Sequence, residues 1–164
     1  MSKSVILCVD DETVILESLK AQLRKSLGKS YTYELAQNAE EALDIIDELN
    51  ADEVNILLIV SDWLMPGMKG DEFLIHVHQK FPKIVNILLT GQADQAAIDR
   101  AYASANLHKC LFKPWSENEL IEAVKSIKIL HTNSYEIPTI LCVIVPSQPD
   151  CLTVFIYFHI FPAK

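Results

Sequence analysis

At 164 residues, half of them hydrophobic, the chain has material for one sizeable core without disulfide or metal staples. Its formal charge of −8, with 22 acidic against 14 basic side chains and no clustered Lys/Arg tract, excludes a general nucleic-acid or anionic-membrane surface and favours a cationic cofactor or partner. The apolar stretch after Met1-Ser2-Lys3-Ser4 is too short for a secretory leader, so the expected location is cytoplasmic.

In chain order, Val5 to Val9 is a continuous apolar run, the pattern of a buried parallel strand, and two acids, Asp10 and Asp11, follow it. Leu16, Leu19, Leu23 and Leu27 then recur at helical spacing until Gly28 closes the segment. Tyr31 to Ala36 predicts an outer strand, and Asn38 with Glu41 makes an N-cap signature ahead of a second helix carrying Ala42, Ile45, Ile46 and Leu49. Asn55 to Ser61 predicts a third strand ending at Asp62. The Met65-Pro66-Gly67-Met68-Lys69-Gly70 segment interrupts regularity before Phe73, Leu74 and Val77 resume a helical stripe. A fourth strand spans Ile84 to Leu89, with Thr90-Gly91 after it and an Ala-rich helix over about Asp94 to Ser104. A fifth, Leu107 to Phe112, stops at Lys113-Pro114, and Ser116 with Glu119 repeats the capping spacing before Leu120, Ile121, Val124 and Ile127.

Five alternating β–α steps imply a doubly wound α/β three-layer sandwich, a five-stranded parallel sheet with helices on both faces. Ligands of such sheets bind beyond the carboxyl ends of the strands. Asp10, Asp11, Asp62, Thr90 and Lys113 all stand at those ends. Three carboxylates on one rim repel one another unless a hard cation offsets them, and Mg²⁺ suits an all-oxygen site that also takes phosphate oxygens. A Thr90 hydroxyl and a Lys113 ammonium would complete a pocket for a phosphoryl group.

With these pieces in order, Asp10-Asp11, Asp62-Trp63-Leu64-Met65-Pro66-Gly67-Met68-Lys69-Gly70, Leu89-Thr90-Gly91 and Lys113-Pro114-Trp115, residues 4 to 130 resemble the receiver domains of two-component response regulators, the CheY-like, flavodoxin-like (βα)5 family. The resemblance implies a phosphoacceptor at Asp62, charged from a phosphohistidine on a histidine kinase or phosphotransfer protein. It implies Mg²⁺ held by Asp10, Asp11, Asp62 and the backbone carbonyl of Leu64. Thr90 would contact the phosphoryl oxygen, Lys113 would pair with another and precede a cis bond to Pro114, and Gly67 and Gly70 would let the loop under Asp62 turn. Output would pass to a downstream protein or a second copy of the chain, with no nucleic acid or membrane contacted directly. The chain would not be an enzyme beyond accepting and slowly losing its own phosphate.

Two positions depart from the family pattern. Cys110 stands three residues before Lys113, where receivers carry a switching Tyr or Phe, so the output face should respond more weakly or through Phe112 or Tyr102. Leu64 and Gln92 flank the path of the hydrolytic water, and Leu64 offers no polar group to orient it. Cys8, Cys110, Cys142 and Cys151 lack zinc-ligand spacing and read as small hydrophobes. His76 and His78, two apart on a helix, face different ways and read as boundary residues. Trp63 and Trp115 border the site, where rim packing outweighs partner contact.

A haloacid-dehalogenase-type phosphatase is the enzymatic rival, but that family needs an Asp where Glu12 stands and leaves Asp62 unused. A phosphorylation-independent interaction module is the other. The expected domains are residues 1–131, the receiver, and 132–164, an apolar extension whose two strand-rich pieces are each shorter than the ~18 to 20 residues a membrane span needs. That extension reads as a strand hairpin, a dimerisation element, or the remnant of a longer or non-native chain.

Overall fold

The computed structural model describes residues 4–91 and 95–133. The expectations placed on Gln92 and on the extension past Asn133 fall outside them, as do Cys142 and Cys151. The chain divides into units Met1–Ile127 and Lys128–Lys164, and the elements below belong to the first, apart from the last turns of the final helix.

Five strands, β1 (Val5–Val9), β2 (Thr32–Ala36), β3 (Ile56–Asp62), β4 (Val85–Thr90) and β5 (Leu107–Phe112), pair in parallel in the order β2-β1-β3-β4-β5. Between and after them run α1 (Thr13–Leu27), α2 (Ala39–Ala51), α3 (Gly70–Lys80), α4 (Gln95–Ser104) and α5 (Glu117–Asn133), with a short 3-10 turn at Gly28–Ser30. This is the doubly wound, flavodoxin-like order expected, whose strand order reverses beside β1.

Strand alternation sorts the core into two layers. Val5, Leu7 and Val9 face Ala42 and Ile46 of α2, Phe73, Leu74 and Val77 of α3, and Ala101 of α4. Ile6 and Cys8 face the other way, with Leu16, Leu19 and Leu23 of α1 and Leu120, Val124 and Ile127 of α5. A strand buried on both faces cannot alternate apolar with polar residues, hence the unbroken apolar runs.

Local signals held where local chemistry decides. The Asn38 side chain accepts from the Glu41 N–H while Glu41 accepts from the Gln37 N–H, and Ser116 and Glu119 cap α5 reciprocally. Gly28, at φ 70, ends α1 as expected. Strands three and four each run one residue further than expected, so Asp62 and Thr90 are the last residues of β3 and β4 and not the first after them. The cause is the ladder itself: Asp62 still pairs with Leu89, and Thr90 with Phe112.

Candidate functional site

The strand ends converge as the sequence implied. Ligand oxygens of Asp10, Asp11 and Asp62 all lie within 4.8 Å of one another. Asp10 and Asp62 are buried while Asp11 is exposed. The Lys113 ammonium, 20% exposed, reaches across to Asp10 at 2.8 Å and to Asp62 at 2.9 Å. Thr90 is fully buried one residue beyond Leu89, the ladder partner of Asp62, and its carbonyl accepts the Lys113 N–H at 2.7 Å. Leu64 stands two residues past Asp62 with its side chain exposed. The Lys113–Pro114 bond is cis.

Each side chain is held by its element. The Asp10 N–H donates to Ala36 of β2, and Asp10 Oδ1 accepts the Glu12 N–H at 2.9 Å, which turns the chain into α1. Below Asp62 the loop is pinned twice: the Trp63 N–H donates to Leu89 of β4 and the Gly70 N–H to the Trp63 carbonyl, each at 2.8 Å. Gly67, at φ 81, supplies the turn expected of it. Gly70 does something different. Its backbone is unstrained, but a Cβ there would collide with the Asp62 carbonyl oxygen and stand 2.9 Å from its carbon, so the residue serves close approach, not a turn torsion.

Burial pushes the Asp62 carboxyl above its ordinary range; the Lys113 hydrogen bond and charge pull it down, and Asp10 adds to the rise. Burial also works against the Lys113 ammonium, yet its hydrogen bonds to Asp10 and Asp62 outweigh that and hold it above the usual lysine value. Three carboxylates against one ammonium leave the site with excess negative charge. Among the described residues this is the one acid, His or Cys cluster able to hold an ion, and its all-oxygen donors fit Mg²⁺.

Sequence reasoning missed one constellation beside the site. Asp71, with no exposed side-chain surface, accepts the Trp63 indole N–H at 2.9 Å and pairs with Arg100 of α4 at 2.7 Å. Trp115, by contrast, packs against the α1/α5 layer as rim packing predicts, its indole donating to Gln22 at 3.2 Å. Cys8 is buried and Cys110 half-buried, both free thiols, and the Cys110 N–H donates to the Tyr102 hydroxyl at 3.2 Å. His76 and His78 are partly buried on α3.

Comparison with known proteins supplies the family. The model of the response regulator receiver domain matches residues 6–125. The hydrogenase transcriptional regulatory protein HoxA of Cupriavidus necator is 31% identical over 123 residues, 75% of this chain and 24% of that protein. The sensor kinase CckA of Brucella abortus is 32% identical over 126 residues, 77% of this chain and 12% of that one. In structure, the signal receiver domain of an HD domain-containing protein from Pseudomonas fluorescens Pf-5 superposes with a TM-score of 0.69 at 32% identity, covering 80% of this chain and 98% of that one. The chain thus spans a quarter or less of the length of these full-length relatives.

Proposed function

The chain belongs to the response regulator receiver domain family, the phosphoacceptor domains of two-component signalling, and on that premise we propose that Asp62 is the residue phosphorylated. One observation carries this: Asp62 ends β3 with its carboxylate among two other acids and 2.9 Å from the Lys113 ammonium. A carboxylate oxygen of Asp62 attacks the phosphorus of a phosphoimidazole. As the P–O bond forms, the P–N bond breaks, and its electron pair returns to the imidazole, which takes a proton from solvent.

Lys113 neutralises a phosphoryl oxygen while remaining paired with Asp10, and the Thr90 hydroxyl donates to another. Asp10, Asp11, Asp62 and the Leu64 carbonyl would hold Mg²⁺. When bound, the ion offsets the carboxylate and phosphoryl charge that otherwise resists approach of the donor. The protein's share is positioning and charge; the chain carries no turnover beyond accepting and slowly losing one phosphate.

The donor is a phosphohistidine-bearing kinase or phosphotransfer protein. In support, three large apolar side chains close in sequence to the acids and lysine of the site are exposed: Val14 three residues after Asp11, Leu64 two after Asp62 and Phe112 directly before Lys113. Exposed apolar groups around a charged centre suit docking of a partner. Residues 1–131 constitute the receiver, with 132–164 an extension, and the output is altered binding of a downstream protein or a second copy. A cytoplasmic setting suits this chemistry, and among the described residues no helix is long and apolar enough to cross a membrane.

The family match does not favour the phosphatase or the phosphorylation-independent reading. Intact-mass measurement after incubation with acetyl phosphate and Mg²⁺ tests the proposal. The expected gain is one phosphoryl group, absent from Asp62→Asn. No gain in the wild type, or an equal gain in the variant, defeats it.

A further inference from the structure

A buried carboxylate with no exposed surface is an expensive feature, and breaking such a pair costs far more than the pair itself contributes. Asp71 is one, and its partners are informative. Its Oδ1 accepts the indole N–H of Trp63, the residue covalently next to Asp62. Its Oδ2 takes a guanidinium N–H of Arg100, halfway along α4, whose side chain is 55% exposed. Asp71 itself opens α3, behind Gly70, whose N–H is fixed to the Trp63 carbonyl. The Lys69 ammonium lies over the Trp63 ring, 5.0 Å from its centroid.

A continuous polar chain therefore runs from the residue after the phosphoacceptor, through a buried anion, to the middle of α4. Simple pinning of α4 onto α3 would need only the ion pair; the indole hydrogen bond adds a link to the loop under Asp62. Both Asp71 oxygens are committed, so displacement of the Trp63 ring changes what Arg100 meets. Asp71 lies out of water, so a change in either of its two hydrogen bonds is poorly compensated at the carboxylate, while the guanidinium end is screened by solvent.

We propose that Asp71 is a positioning residue that couples the phosphorylation state of Asp62 to α4 through Trp63 and Arg100. Phosphorylation that draws on the backbone of residues 62–64 shifts the indole, alters the anion it helps to solvate, and loosens or tightens the hold on Arg100. By reciprocity, whatever binds α4 alters the phosphorylation equilibrium at Asp62 by the same factor. The route suits a chain in which Cys110, half-buried beside α4, carries no large side chain.

This rests on Asp62 as the phosphoacceptor, and the test separates the two claims. Amide hydrogen exchange over Gln95–Ser104 is measured with Mg²⁺ alone and with Mg²⁺ plus beryllofluoride, on the full chain, while acetyl phosphate loading is followed by intact mass. In the wild type, beryllofluoride should change α4 exchange by about fivefold or more, the lower end of ordinary site-to-site coupling. Trp63→Phe keeps the ring and the ion pair but removes the indole N–H; its α4 change should fall below about twofold while Asp62 still gains phosphate. Arg100→Gln should behave likewise, and Arg100→Lys should recover part of the response, because its charge still meets Asp71. Far-ultraviolet circular dichroism verifies that each variant folds, and the double variant Asp71→Asn/Arg100→Gln, which leaves no buried charge unpaired, replaces any single that does not. A wild-type response in Trp63→Phe and Arg100→Gln overturns the coupling, as does a wild-type α4 that ignores beryllofluoride despite full loading. Failure of the wild type to take up phosphate overturns the phosphoacceptor reading instead.

Discussion

The Lys113 ammonium faces two buried carboxylates at once, 2.8 Å from Asp10 and 2.9 Å from Asp62. Removing it strands both, and an uncompensated buried charge costs more than the intact pair was worth. Lys113→Met should therefore lower stability by about 3 kcal/mol in denaturant titrations without divalent ions, and added Mg²⁺ should restore part of the loss. A Lys113→Met protein as stable as the wild type would mean that the carboxylates shed their charge. Leu64 makes the opposite point, since its exposed side chain lies two residues from Asp62 and can orient nothing. Leu64→Asn gives a passing water an amide to bond. Its aspartyl phosphate should decay about threefold faster or more, roughly 0.7 kcal/mol off the barrier, as followed by loss of the phosphorylated mass with time; an unchanged decay rate sets aside any role for Leu64 in phosphate lifetime.

Among the elements, the junction of β3 and α3 has the least tolerance. Gly70 lets the start of α3 sit directly under the Asp62 carbonyl, where a methyl group has no room because the obstruction is backbone. Gly70→Ala should cost about 3 kcal/mol by overpacking and slow phosphorylation as well, because relief of the collision moves Asp62; calorimetry and acetyl phosphate loading measure the two effects separately. Across β5 and α5, Ser126 Oγ donates to the Ala123 carbonyl at 2.6 Å, so His108 Nε2 is the donor in its 2.7 Å contact with Ser126. Burial, and secondarily the charge of Lys109, hold the His108 ring below the ordinary histidine value. A depressed folded-state value means that the unfolded chain binds the proton first. The His108 contribution is complete above the ordinary histidine value and is lost as pH falls through the lowered one. His108→Gln should flatten the decline of melting temperature across that acid window, modestly, because the ring is only half-buried.

The element scale also shows where sequence reading succeeds. The Asn38/Glu41 and Ser116/Glu119 caps involve residues three apart, and apolar runs that end in a polar residue mark strand ends directly. Asp71 and Arg100 are 29 residues apart with no spacing rule to join them. An Asp in the first turn of a helix is also unremarkable on electrostatic grounds. The close approach required of Gly70 is equally silent, since a glycine after a turn motif looks like part of the turn.

For the molecule as a whole, the gathering of acids at one edge of the sheet means that folding and ion binding are linked. The formal charge is −8, and three carboxylates meet within 4.8 Å against a single ammonium, so the metal-free fold carries a local electrostatic cost. Burial raises the Asp62 carboxyl, which places its contribution below the ordinary aspartate value; as pH climbs through the raised value the ionised group becomes a burden on the fold. Asp62→Asn should then be more stable than the wild type at neutral pH without divalent ions. Mg²⁺ should narrow or reverse that ranking, because it would bind the folded cluster and find no such cluster in the unfolded chain. At tenfold over its dissociation constant it should add about 1.4 kcal/mol to the wild type, or about 5 °C in melting temperature, and distinctly less to Asp62→Asn, which lacks one anionic ligand. Scanning calorimetry at matched ionic strength, with Na⁺ replacing Mg²⁺ in the control, separates site binding from general screening. Equal shifts in the two proteins, or equal shifts from the two salts, would show that the three acids do not act together as an ion site.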